Sequence, residues 1–228
     1  MLTTDPQRLA ADARSILACP AQVSLVIEGE ALVEDDTGLT DRLGMPAFLC
    51  RPGSPVDRAA AGRRSALLTV TSGLGPRGGA ERTETLTLAG RLEPVDVEEC
   101  ACCPEVRHVV ALDLNFVLLA RAERQHQVPL EQFRSRAHEL NRGHLQRSTE
   151  HANDCHHDDL RHAVATGTGT PDDLLIGVRL TALSPSGVEV QWVDVEGAHR
   201  QELVFPRAAR DLTELGEMLR RSLHAGLC

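Results

Sequence analysis

The residues with the widest chemical reach in this chain are histidines, arginines and cysteines that fall in short clusters. His138 and His144 bracket the segment His138-Glu-Leu-Asn-Arg-Gly-His144. A neutral imidazole nitrogen binds a metal or takes a proton near neutrality. Six residues apart on a helix, the two rings point about 120° from one another and need not share a site. The competing role is packing, or satisfying a backbone group at a helix start. Arg63, Arg64 and Ser65 follow Gly62 and lead into an apolar run. The guanidinium fork suits a phosphate or a carboxylate; a solvated basic pair at a strand entrance is the alternative.

Other clusters carry less. His151, Cys155, Asp159 and His162 recur at helical steps and would form one stripe. A straight helix would spread them over about 16 Å, too far for one ion, so a solvated polar face is expected. Cys100-Ala-Cys-Cys103 contains a C-x-x-C with no second pair to complete a zinc site, even if His108 adds one ligand. Glycines 73, 75, 78 and 79 lack the Gly-Lys-Ser ending of a phosphate loop. Neither G-x-S-x-G nor H-E-x-x-H occurs, so hydrolase chemistry has no support.

A net charge of −9 repels nucleic acid, and with four Phe, one Trp and no Tyr there is little to stack on bases. Nucleic acid is not an expected partner. No apolar run approaches the ~20 residues of a membrane span. The start lacks the basic-then-apolar pattern of a secretory signal, so neither membrane nor export is expected and the reading is cytoplasmic. Seven cysteines, an odd number, are then expected as thiols.

These residues must be positioned by elements legible in the pattern. Asp5-Pro6 starts a helix to about Ala18, with Leu9, Ala13, Ile16 and Leu17 on one face. Strands are expected at 23–27, 46–50, 65–71, 84–94 and 115–121, with a short helix at 56–61 stopped by Gly62 and a loop at 72–79. The acidic residues 96, 98 and 99 are expected to open a helix reaching about Ala111. After a boundary between Gln127 and Arg136, helix is expected to about Ala165. Strands at 174–183, 187–195 and 199–205 and a helix from Asp211 to Leu223 complete the chain. Many short strands without long crossover helices argue for a small barrel over a doubly wound sheet. The expected class is α+β: a split β-barrel at 1–130, then a helix, a three-strand antiparallel meander and a helix at 131–228.

Four stretches carry a family resemblance. They are Gly53-Ser-Pro-Val-Asp57, Arg63-Arg64-Ser65-Ala-Leu-Leu, Thr85-Leu-Thr-Leu-Ala-Gly90-Arg-Leu-Glu-Pro, and the histidine-bearing helix before a meander with Asp194-x-x-Gly197 and Phe205-Pro206. In this order the chain resembles the pyridoxamine-phosphate-oxidase-like, FMN-binding split barrels fused to the C-terminal domain of haem-utilisation proteins. The resemblance implies a homodimer acting in haem homeostasis or degradation, with haem iron held by one histidine: His144 first, then His138 and His224. It implies that Arg63, Arg64 and Ser65 meet the haem propionates. The same family includes haem-degrading oxygenases, FMN-dependent oxidoreductases and non-catalytic adaptors that bind an enzyme of tetrapyrrole synthesis, so catalysis is left open and FMN is the alternative cofactor.

Overall fold

The computed structural model describes residues 5–28, 30–32, 38–99 and 106–225. Two compact units emerge, residues 1–143 and 144–228. The first is built on a strongly curled, antiparallel half-barrel sheet, and the second on a separate three-strand antiparallel sheet with helices. The α+β class expected from the sequence holds.

In the first unit, α1 (Pro6–Ala18) starts as the sequence requires: Asp5 Oδ1 accepts the amide of Gln7 at 3.0 Å and proline takes the first turn. The strands are β1 (Pro20–Ile27), β2 (Glu30–Leu32), β3 (Gly38–Arg42), β4 (Met45–Cys50), β5 (Ser65–Ser72), β6 (Thr85–Glu99), β7 (Val106–Arg121) and β8 (Arg124–Gln127). Their order across the sheet is β2-β1-β5-β6-β7-β4-β3, with β8 also on β7. Ala66, Leu68 and Val70 of β5 alternate inward, as do Leu86 and Leu88 of β6, and they pack with Ile16 and Leu17 of α1. Each fully buried leucine contributes about 1.5–3 kcal/mol. Between β4 and β5 lies α2 (Pro55–Ala61), capped by Ser54; α3 (Leu130–Phe133) follows β8.

The helix expected from residue 96 to about Ala111 is corrected by the structure. Residues 95–99 continue β6, and β7 begins at Val106. Val95 and Val97 alternate with Asp96 and Glu98, a period of two that β-branched residues favour. Register sets Glu98 opposite Arg107, and Arg42 also pairs with Glu98, so this acid is matched across strands rather than along a helix. Two bulges, at Ala89/Gly90 and Pro94/Asp96, bend this long hairpin. A side chain at Gly90 would bring Cβ within 2.1 Å of the Asp113 carbonyl oxygen, so only glycine fits the bend.

A buried ion pair sits inside this core. Arg14 projects from the buried stripe of α1, and its Nε donates to Asp41 Oδ2 of β3 at 2.7 Å; the two side chains are 1% and 0% exposed. Its Nη1 donates to the Phe133 carbonyl at 3.0 Å, and the guanidinium lies 5.8 Å from the Phe133 ring centroid. Asp41 Oδ1 accepts the Gly44 amide at 2.7 Å in the β3–β4 turn. A Cβ at Gly44 (φ +84) would lie 2.9 Å from Arg14 Nη1, so the turn and the arginine are fitted to each other.

The second unit takes up α4 (Arg142–Cys155) from His144 onward, and α5 (His157–Thr168) then precedes β9 (Gly177–Ser184), β10 (Gly187–Asp194), β11 (Gly197–Val204) and α6 (Leu212–Ala225). The sheet order β11-β10-β9 is the expected meander. Val188, Val190 and Trp192 alternate to the covered face, and α5 contributes Leu160, Ala163 and Val164 to the buried interior. The Asn153 carboxamide closes the free edge of β9: Nδ2 donates to the Leu180 carbonyl at 3.0 Å and Oδ1 accepts its amide at 2.7 Å. A side chain thus takes the place of a neighbouring strand.

The Arg14–Asp41 pair yields a stability prediction. Arg14→Ala should cost about 3–5 kcal/mol, because it strands a buried carboxylate, whereas Arg14→Met with Asp41→Leu should recover most of that loss. Urea denaturation checks this. Equal losses in the single and double variants would show that the carbonyl contacts, not the ion pair, carry the stability.

Candidate functional site

A cleft of ≈ 360 Å³ opens in the first unit between α1, the segment 74–84 that leads into β6, the end of β7 and the segment 137–142. His138 ends a short 3-10 turn (Arg136–His138) whose start is capped by the Ser135 hydroxyl, which accepts the Ala137 amide at 3.3 Å. Asn141 Nδ2 holds the His138 carbonyl at 3.0 Å, and Asn141 Oδ1 accepts the Gly143 amide at 2.9 Å. The ring therefore sits on a backbone fixed from both sides. Its Nε2 is shielded from solvent and has no hydrogen-bond partner among the described residues. Burial, and then the nearby Arg14 charge, hold the imidazole below its usual pKa, so it stays neutral at pH 7.

The walls are charged, and most of the charge is committed. Arg142 grips Glu81 with two bonds of 2.6 Å, and Arg121 meets Asp12 at 2.6 Å. Glu81 is held below the usual carboxylate range by Arg142. Glu84, by contrast, is pushed up by burial, an effect that Arg121 only partly offsets. Arg8, exposed on the rim, makes no hydrogen bond or ion pair among the described residues. The cleft thus sets a neutral nitrogen lone pair among a carboxyl that resists ionisation and one uncommitted cation. Such a set can ligate a metal, move a proton, or receive an anionic group.

The other expected residues lie elsewhere. Arg63, in a left-handed conformation (φ 49), pairs with Glu93, and Arg64 pairs with Glu28. Both arginine side chains are about half exposed or more, at 66% and 48%. Ser65 opens β5, and its carbonyl accepts the Glu28 amide at 3.1 Å. These three stand together but do not line the His138 cleft. His144 is half-buried in the first turn of α4 and belongs to the second unit. The side chain of His224, on α6, lies outside the described residues, as do Cys100, Cys102 and Cys103.

The single histidine stripe from 151 to 162 does not form, because the helix breaks at His156 (φ −121, ψ 27) and α5 starts afresh. His156 Nδ1 instead meets Asp159 at 3.2 Å, and the His151 and His156 rings stack edge-on at 5.1 Å. No group of three metal-ligating side chains exists among the described residues. No helix there is long and apolar enough to cross a membrane.

Sequence reasoning missed Arg8, Arg14, Glu84, Arg121 and Arg142. Arg14 had a signal: it falls on the same helical stripe as Ala10, Ala13 and Leu17, a charge at a core position. Also missed was the pairing of His108 Nδ1 with Asp57 Oδ1 at 2.7 Å, which joins β7 to α2 and lowers the Asp57 pKa.

No protein-family model and no curated protein matches the chain. Among solved structures, a heme binding protein from Mycobacterium smegmatis aligns over 100% of this chain and 99% of its own, at 15% identity and a TM-score of 0.46. A protein of unknown function from Agrobacterium tumefaciens aligns over 97% and 98%, at 17% identity and a TM-score of 0.44.

The buried imidazole makes stability depend on pH. In the unfolded chain His138 protonates near its ordinary value of 6.5, whereas the fold favours the neutral form. Its contribution is therefore complete above that value and is lost as the pH falls from 6.5 toward the lowered folded pKa. His138→Gln should flatten this slope in urea midpoints measured across the window. An unchanged slope would place its origin in another group.

Proposed function

We propose that the protein binds haem through the first unit, with His138 as the iron ligand and Arg8 receiving a propionate. The observation that carries this reading is the His138 ring: a neutral imidazole whose Nε2 is buried without a partner among the described residues while the ring lines an open cleft. A buried polar atom left unpaired costs about 1–3 kcal/mol, a loss that a bound metal would relieve. The donor set fits the group, since neutral imidazole is a common haem ligand and guanidinium suits carboxylate. The sequence resemblance points to the same cofactor independently of the geometry. Bound haem would supply redox and dioxygen chemistry. The chain's residues would bind and orient it, His138 at the iron and Arg8 at a propionate.

Within this reading the protein acts in haem homeostasis or breakdown in the cytoplasm, as a homodimer. His144 and His224 remain the other ligand candidates. Arg63 and Arg64 are less favoured as propionate anchors, because each would first have to release a glutamate.

Haemin titration followed by the Soret band tests the assignment. His138→Ala should weaken binding at least tenfold and shift the band, whereas His144→Ala, His224→Ala and Arg64→Ala should stay within about twofold of wild type. Arg8→Ala should cost about 1.5–3 kcal/mol, as for a hydrogen bond to a charged group. Loss of binding in His144→Ala with His138→Ala intact would move the ligand. A wild type that retains FMN and takes no haemin would replace the cofactor.

A further inference from the structure

The second unit carries a recess of its own, ≈ 610 Å³, over the end of the three-strand sheet. Register places Arg179 of β9 and Arg200 of β11 directly opposite Gln191 of β10, one on each side. Residues paired in this way share a face, and both arginines are exposed there. With strands 4.7–4.9 Å apart, the two Cα atoms stand roughly 10 Å from each other. The next row across is Gly177, Val193 and Ala198, so the floor beside the arginines is apolar and low. Ile176, 72% exposed, forms its rim.

Glu189 and Glu202 share this face with the two arginines, but the pairing among them is uneven. Arg179 makes no hydrogen bond or ion pair among the described residues. Arg200 acts on Glu189 only through space, and Glu189 is already bound by Thr181 at 2.9 Å and by Gln191 at 2.6 Å. One cation is therefore open and a second is partly so, at either side of an apolar floor.

We infer that this face binds a flat, apolar dianion whose two acidic groups lie about two strand spacings apart, roughly 10 Å. One carboxylate or comparable acid meets Arg179 and the other meets Arg200, while the body of the molecule covers Val193 and Ala198. The proposal does not depend on haem at His138, since every residue it uses belongs to the other unit.

The chain supplies its own reporter. Trp192 is its one tryptophan, sits between Gln191 and Val193 on β10, and stacks on His199 with ring centroids 5.2 Å apart. The test is titration of the full-length protein with biphenyl-4,4′-dicarboxylate, followed by Trp192 fluorescence and by calorimetry. Saturable binding is expected, at least tenfold weaker for biphenyl-4-carboxylate. Arg179→Ala should weaken it at least tenfold and Arg200→Ala severalfold, with far-UV circular dichroism unchanged. His138→Ala should leave it intact, and both arginine variants should still bind haemin as wild type does. The proposal is overturned if neither signal shows binding, if the mono- and dicarboxylate bind alike, or if the arginine variants bind as wild type does.

Discussion

A single ion pair shielded from solvent, Arg14 with Asp41, ties the first unit together. Three elements distant in sequence meet at one guanidinium: α1 provides it, β3 neutralises it, and the Phe133 carbonyl at the end of α3 takes a further proton donor. Desolvating two charges costs several kcal/mol each, so the pair persists only while every donor and acceptor around it is filled. That requirement fixes the β3–β4 turn, where glycine is the one residue that leaves room. It also fixes the chain after Phe133, from which His138 projects. The same charge helps to keep His138 neutral. The structural anchor and the electrostatics of the cleft thus have one source.

Much of the architecture was legible because local and global demands agree. The proline start and apolar stripe of α1, the α2 stop at Gly62, and the meander of β9, β10 and β11 all follow from periodicity and turn residues. Residues 96–99 were misread because acids resemble a helix start until their partners are known. Arg42 and Arg107 come from other strands, and no local window contains them. The cleft was legible only in part. His138 stands out by type, whereas its burial and missing partner depend on tertiary packing. The apparent stripe at 151–162 failed for a related reason, since periodicity cannot register a break at His156.

Charge is distributed economically in a chain with 33 acidic and 24 basic residues. Arg63, Arg64, Arg121 and Arg142 each hold a carboxylate, and on such surfaces these pairs contribute little to stability. Their consequence is selectivity. At these positions an incoming anion must compete with a tethered glutamate or aspartate, whereas Arg8 and Arg179 hold none among the described residues. The chemistry of the molecule is set as much by which arginines are occupied as by where they lie.

The Asn153 clasp on β9 has a bearing on how this protein ages. Its grip depends on an amide that donates and accepts at once, matching Leu180 bond for bond. Deamidation to aspartate preserves the shape and removes the donor, so that a carboxylate oxygen faces the Leu180 carbonyl and repels it. One spontaneous hydrolysis, with no change in size, would turn the latch on this sheet into a wedge and release a strand edge ready to pair with another chain.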